Sequence, residues 1–309
     1  MIQLGRGKVM FVAKNVYKKY YKKDIVKDFS IVLKRGEIHG LIGENSAGKT
    51  TIMKCLVGIY GCDKGEVLCD EKPVYDNPKV KEKIAYIADV NEYYKNYTVE
   101  KMVELFETFY ESFSRTKFDT LNKDFQLNTK VSVGKLSKGQ KMRFAFMLAL
   151  SQSPDYLIMD EPTSGLDVAG KKLFFNHLIA EVENNQLGVL ISSHHLEHLE
   201  KVCDQITILS HGEVLAQNSV EDVKSRYRAY EVKIKDVKEL EQTLDDLQKE
   251  HIVLSYENVG QIYQILIDTT LRSIEEIVQG EEVYIQEVPS SLEAIYLAIT
   301  TSKNKGELL

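Results

Sequence analysis

The sequence predicts an α/β protein built on a mainly parallel sheet, carrying a mostly helical subdomain and followed by a small α+β domain of ferredoxin-like order. Three observations carry this. Apolar strand-like runs alternate with helical segments up to about residue 222, the pattern of a parallel sheet covered by helices. A strand, a glycine-rich turn and a helix follow one another over Glu37–Val57. After Val223 the order changes to β-α-β-β-α-β, which a ferredoxin-like domain requires.

The elements follow from local pattern. Val9–Ala13, Phe29–Leu33 and Glu37–Ile42 are short apolar or alternating runs and read as strands. Gly43 breaks the last of them, and Thr50–Val57 continues as a helix ending near Gly58. Helical spacing of Met102, Val103, Phe106, Phe109 and Tyr110 places the helical subdomain at about 98–148. Strands return at Tyr156–Met159, Gly188–Ile191 and Gln205–Leu209. In the second domain Tyr230–Lys235 reads as a strand, Val237–Glu250 as an amphipathic helix, and Ile252–Tyr256 with Gln261–Ile267 as a hairpin across Asn258–Gly260. A helix is expected over Leu271–Gln279, a strand over Val283–Val288, a closing helix over Pro289–Thr300 and fraying from Ser302 to Leu309. The expected domains are therefore 1–223 and 224–309.

With 309 residues, 43% hydrophobic and 28% charged, the chain has the composition of a globular protein able to bury a sizeable core. A net charge of -6 gives no general reason to expect nucleic-acid binding. No apolar run approaches the roughly 20 residues that span a bilayer, and Met1–Lys8 lacks the features of a signal peptide. The expectation is a cytoplasmic protein whose membrane role, if any, comes through a partner. Cys55, Cys62, Cys69 and Cys203 form no CxxC pair and read as reduced, structural thiols.

Gly43-Glu-Asn-Ser-Ala-Gly48-Lys49-Thr50-Thr51 fits the phosphate-binding loop of P-loop NTPases, G-x4-G-K-[ST]. Its glycines let the backbone around Asn45, Ser46 and Ala47 turn successive N–H groups towards phosphate oxygens, at the positive end of the following helix. Lys49 supplies a point charge for the β- and γ-phosphates, the Thr50 hydroxyl is placed to ligate Mg²⁺, and Thr51 could bond the α-phosphate. Downstream, Ile158-Met-Asp-Glu-Pro162 puts two carboxylates at the end of an apolar strand. Asp160 would hold Mg²⁺, and Glu161 would accept a proton from, or orient, the attacking water. Ser193-His194-His195 follows another strand; an imidazole there can donate to a γ-phosphate.

Between these motifs stands Leu136-Ser137-Lys138-Gly139-Gln140. In that order, and with Ser164-Gly-Leu-Asp167 following, the motifs over residues 9 to 222 resemble the nucleotide-binding subunit of ABC transporters. The resemblance implies a P-loop ABC ATPase fold and a head-to-tail dimer with two ATP molecules and Mg²⁺ in the seam. Ser137 and Gly139, with Lys138 and Gln140, would serve the neighbour's ATP, and Asp167 would couple the two sites. It assigns the switch histidine to His194, with His195 a neighbour without a catalytic role, and an adenine-stacking ring to Tyr20, for which Tyr17 and Tyr21 compete.

Three positions depart from the family pattern. Ser46 fills a slot of the phosphate loop that is glycine-like elsewhere, and Lys138 stands where many members have glycine. Asp89 occupies the place of a usual Gln; a carboxylate keeps an oxygen for Mg²⁺ or water but adds charge and loses the amide donor. Tyr93, Tyr94 and Tyr97 beside it could contact a membrane subunit or only pack. Pro289–Ile299 resembles the closing helix of the C-terminal extension in bacterial drug, antibiotic-peptide and sodium exporter ATPases. The resemblance thus implies the ATP-hydrolysing motor of an ABC exporter, peripheral on the cytoplasmic face of the membrane. Its partners would be an integral membrane permease subunit and a second, identical or related, ATPase. The alternative is a soluble ABC ATPase acting on a cytoplasmic macromolecular complex.

Overall fold

The computed structural model describes residues 10–194, 196–234, 237–260, 262–279 and 283–306. The expectations for Met1–Val9, His195, Lys235, Gln261 and Glu307–Leu309 lie outside the described residues. Contacts divide the chain into two compact units: the described residues up to His194 with Val202–Ala216, and those of 195–201 with 217–306. The expected boundary at 223/224 falls inside the second unit.

The first unit opens with β1 (Met10–Tyr20) and β2 (Lys23–Lys34), then β3 (Ile38–Gly43), α1 (Lys49–Leu56), β4 (Lys64–Cys69), β5 (Lys72–Pro73), α2 (Pro78–Lys81) and β6 (Ile84–Ile87). The helical part follows as α3 (Val99–Phe109), α4 (Arg115–Phe125) and α5 (Lys138–Ser151). Then come β7 (Tyr156–Met159), α6 (Val168–Asn185), β8 (Gly188–Ser192), β9 (Gln205–Ser210) and β10 (Glu213–Ser219), the last leading out of the unit; α7 (Leu196–Val202), between β8 and β9 in the chain, belongs to the second unit except for Val202. One sheet has the order β2-β1-β4-β5, with antiparallel pairs; the other has the order β10-β9-β3-β8-β7-β6. In the second sheet β3 pairs parallel with both β8 and β9, and β7 pairs parallel with β6 and β8. Every residue of β3, β7 and β8 is buried, which is why they are apolar runs without alternation: a parallel sheet is covered on both faces.

The helical part is held by aromatic packing. Phe118 and Phe144 meet edge to face at 6.3 Å, Phe125 and Phe146 at 6.0 Å, and Phe146 lies 4.2 Å from Phe174. These contacts tie α4 and α6 to α5, whose residues from Phe144 to Ser151 are all buried. Ser137 starts α5 through a capping box: its hydroxyl accepts the Gln140 N–H and the Gln140 side chain accepts the Ser137 N–H. Such a cap is worth about 1 kcal/mol. No helix among the described residues is long and apolar enough to cross a membrane. All four cysteines are free thiols.

The second unit holds α8 (Val220–Arg226), β11 (Tyr227–Lys233), α9 (Val237–Lys249), β12 (Val253–Val259), β13 (Ile262–Asp268), α10 (Ile274–Ile277), β14 (Tyr284–Val288) and α11 (Leu292–Gly306). Its sheet order, β12-β13-β11-β14, is antiparallel throughout. That is the split β-α-β arrangement of a ferredoxin-like domain. Leu240, Leu244 and Leu247 of α9 and Ile274 and Ile277 of α10 share a core with Val232, Tyr263, Ile265 and Ile267 of the strands. Two expectations are corrected here. The helix expected over Leu271–Gln279 shrinks to α10, because Leu271 is held in a turn by its N–H bond to the Asp268 carbonyl and the Ser273–Glu276 capping box sets the start. Val278 then leaves extended and buries itself in the core. The last helix continues past Thr300 to Gly306.

Asp268 anchors this unit. It is 3% exposed, and Oδ2 accepts from Arg226 Nε and Nη2 at 2.9 and 2.7 Å. Oδ1 accepts from the Thr270 N–H and hydroxyl at 3.0 and 2.5 Å. Burial alone would raise its pKa, but the Arg226 guanidinium and the Thr270 donors outweigh it and hold the carboxyl below its ordinary value. Asp268→Ala is expected to destabilise the unit by about 2–3 kcal/mol, towards the low end for a broken buried pair because the Arg226 side chain is 43% exposed. A depressed pKa makes this contribution complete above the unfolded value near 3.9 and lost as pH falls through the folded one. Denaturant melts of the full chain against pH check it: the difference between wild type and variant should narrow in acid.

Candidate active site

The phosphate-type loop leaves the C-terminal end of β3, the middle of the parallel sheet, where ligand crevices of α/β folds lie. Close approach dictates its glycines. A Cβ on Gly43 would stand 2.6 Å from the Leu209 carbonyl oxygen, and Gly48, at φ +105°, has the Ile25 carbonyl oxygen 2.9 Å from where its Cβ would be. Ser46, the departing position, takes a left-handed φ of 72°, a conformation a small polar residue tolerates at modest cost. Ala47 closes the turn, donating to the Glu44 carbonyl and accepting from Gly212 N–H. Lys49, the first residue of α1, is 7% exposed, and its Nζ donates to the Gly43 and Glu44 carbonyls at 2.6 and 3.2 Å.

A cleft of about 620 Å³ opens over this loop. Of the expected nucleotide residues, Tyr20, Asn45, Ser46, Gly48, Lys49, Thr50 and Thr51 border it, as do Asp89, Asp160 and Glu161. Gly43 and Ala47 shape the loop without bordering the cleft. Lys23, Asp24 and Lys27 from the β1–β2 hairpin, and His211, also line it. Nothing in the motif pattern singles these out, since they lie far from it in sequence.

The carboxylate pair sits at the end of β7. Asp160 is 2% exposed; its Oδ2 accepts from the Thr50 hydroxyl at 2.5 Å and its Oδ1 from the Ser192 hydroxyl at 2.7 Å. The Glu161 N–H donates to the same Ser192 oxygen at 2.9 Å. Ser192 thus fixes both acids, because parallel pairing sets Met159 opposite Ile191 and brings the ends of β7 and β8 together. Glu161 has a φ of 50°, a left-handed value costing a non-glycine residue about 1 kcal/mol or more and persisting where its surroundings determine it. Its Oε2 lies 2.8 Å from His194 Nδ1, and its buried Oε1, without a hydrogen-bond partner among the described residues, stands 3.9 Å from Lys49 Nζ. An ionised carboxylate only accepts, so the proton in the first contact sits on Nδ1.

This donor set fits a magnesium-bound nucleotide. Among the described residues no three His, Cys, Asp or Glu side chains cluster as a metal cage. Mg²⁺ asks instead for one or two carboxylates together with substrate phosphates and water. Thr50 Oγ1 and Asp160 Oδ2, 2.5 Å apart, are hard oxygens that would suit it. Asp89 borders the cleft but is paired to Lys138 Nζ at 3.3 Å.

Tyr20 ends β1 at the cleft, meeting Tyr60 edge to face at 5.9 Å. Burial and the Tyr60 hydroxyl push its phenol up to about 12, against a hydrogen bond with Thr51. Tyr17 instead lies under Lys64 Nζ, and Tyr21 is fully exposed in the hairpin turn.

Ser137, Lys138, Gly139, Gln140 and Asp167 do not border the cleft. Asp167 caps α6, accepting from Gly170 N–H, and pairs with Arg143 at 2.9 Å. A Cβ on Gly139 would be 2.5 Å from the Gly165 carbonyl oxygen, so the pentapeptide lies directly on the Ser164–Asp167 turn. Tyr93 packs against Phe106 and Phe144, at 6.4 and 5.4 Å, whereas Tyr94 and Tyr97 are exposed and 5.1 Å from each other.

Residues 26–164 match the ABC transporter family. The ABC transporter ATP-binding protein YtrB of Bacillus subtilis is 26% identical over 275 residues, covering 89% of this chain and 92% of that protein. The Nod factor export ATP-binding protein I of Burkholderia orbicola is 30% identical over 212 residues, covering 67% and 69% respectively. A solved structure of the ATP binding subunit of an ABC transporter superposes with a TM-score of 0.65 at 26% identity, over 70% of this chain and 92% of that one.

Proposed function

The chain belongs to the ABC transporter family and is an ABC ATPase, and from that premise we propose that it is the motor subunit of an exporter, driving transport through a separate integral membrane permease. The loop amides and Lys49 bind the phosphates; Thr50 and Asp160 hold Mg²⁺. When bound there, Mg²⁺ would supply positive charge against the charge that develops on the phosphates. Glu161 takes the proton of the attacking water, while His194, through Nδ1, keeps the carboxylate aimed. Ser192 holds the two acids in register, and Tyr20 offers its ring to the adenine.

The dimer supplies the remaining groups. Ser137 and Gly139 act on the nucleotide of a second subunit, identical or related, and Asp167 couples the two sites. The division of the chain supports an accessory role for the C-terminal unit, in dimer support or regulation. One observation carries the transport reading. Asp89 borders both the cleft and a neighbouring groove of about 330 Å³, lined also by Val90, Tyr93, Val133 and Met142. Val90, Tyr94 and Tyr97 beside it are exposed, and exposed apolar and aromatic groups around a concavity mark interaction sites. Export, rather than import, follows the likeness to the Nod factor export protein and the closing-helix resemblance of Pro289–Ile299. The subunit then sits on the cytoplasmic face of the membrane.

Affinity purification of the full chain from detergent-solubilised membranes tests this. A polytopic membrane protein should co-purify, and reconstituting the pair in vesicles should stimulate ATP hydrolysis. Recovery on ribosomes or another soluble assembly, with no membrane subunit, overturns it.

A further inference from the structure

Two departures from the family pattern, Asp89 and Lys138, are partners of each other: Lys138 Nζ lies 3.3 Å from Asp89 Oδ1 and 2.8 Å from Ser164 Oγ. We propose that Lys138 is a positioning residue for Asp89, holding that carboxylate at the rim of the nucleotide cleft in the same subunit.

The placement supplies the reason. Asp89 borders the cleft together with Thr50, Asp160 and Glu161, and it also borders the groove that Lys138 lines. Two carboxylates, Asp160 and Glu161, already face a site that must accept a polyanion. A third, unpaired, carboxylate repels it, whereas the glutamine usual at this place carries no charge. Lys138 removes the repulsion by pairing with Asp89 from the groove side. Its stem packs over Gly165, where an added Cβ would stand 3.1 Å from Lys138 Cγ. One side chain thereby joins the loop after β6, the start of α5 and the turn after β7. The loop senses the subunit's own nucleotide, and the start of α5 carries Ser137 and Gly139 for the neighbour's.

The pair is exchangeable rather than fixed. The two side chains are 56% and 47% exposed, and such a pair is worth at most about 1 kcal/mol and is screened by salt. The effect of removing Lys138 is therefore small and falls as salt rises.

The proposal rests on the ATPase reading and is tested by a cycle of variants in the full, transporter-bound chain. Lys138→Met is expected to raise the KM for MgATP by about two- to fivefold at low salt, the scale of one exposed ion pair, and by less at high salt. Lys138→Arg should stay near wild type. In the Asp89→Gln background, Lys138→Met should no longer change KM. An equal rise in both backgrounds means that the Lys138 side chain acts without Asp89, and no rise in either leaves Lys138 only its backbone; each overturns the proposal. A wild-type complex without ATP turnover would overturn the ATPase reading instead, so the two failures are distinct.

Discussion

Glu161→Gln is expected to bind MgATP with near wild-type affinity and to hydrolyse it about 10²–10⁴ times more slowly, the contribution of a positioned general base. The amide keeps the shape of the side chain, the N–H bond to Ser192 and a carbonyl oxygen for His194 Nδ1. It cannot accept the proton of water. Oε1, buried with no hydrogen-bond partner among the described residues and 3.9 Å from Lys49 Nζ, is the atom whose basicity is lost. The left-handed φ of 50° is unaffected, because Gln tolerates it as Glu does. If two ATP molecules in the seam hold the subunits together until they are hydrolysed, the variant should accumulate as dimer with ATP and Mg²⁺. Single-turnover hydrolysis and size-exclusion chromatography with and without MgATP measure both. Hydrolysis within about threefold of wild type, well short of the loss a general base implies, removes Glu161 from the role and leaves His194 as the candidate.

What was legible in the sequence is what depends on short range. The phosphate loop, the Asp160–Glu161 strand end and the Leu136–Gln140 segment each lie within a few residues, where backbone geometry dictates residue type. The β-α-β-β-α-β order was legible too, because its strands alternate and its hairpin is local. Ser192 was not. A serine ending an apolar strand carries no signal until pairing sets β8 beside β7. Lys23, Asp24, Lys27 and His211 reach the cleft only because the β1–β2 hairpin and the turn after β9 fold over the loop, as the Lys27 N–H bond to the Gly212 carbonyl shows. β1 runs to Tyr20, well past the expected Ala13, since register shifts after Ala13 break the alternation that marks a strand. β4 and the edge strand β5 are half polar and hide for the same reason.

Gly139→Ala is expected to lower ATP turnover about 10²-fold, the cost of losing one preorganised donor at a developing charge, while leaving the affinity of the subunit's own cleft for nucleotide unchanged. Gly139 does not border that cleft. Its Cβ would meet the Gly165 carbonyl oxygen at 2.5 Å, and backbone cannot yield there cheaply, so the start of α5 must shift. The Ser137 hydroxyl accepts from Gln140 N–H in the capping box but still has its proton to donate. It sits at the positive end of a 14-residue helix, a place that favours an anion. A shift of α5 misdirects that hydroxyl and the free amides beside it, and only a facing subunit can present a phosphate to them. Mixed dimers separate this from general damage. A Gly139→Ala subunit paired with a Glu161→Gln subunit has one composite site spoiled twice and the other intact. Paired that way, if each site turns over independently, the dimer should keep about half of wild-type hydrolysis; homodimers of either variant should keep almost none. Equal loss in mixed dimers and homodimers would mean that Gly139 serves its own subunit, contrary to the head-to-tail arrangement.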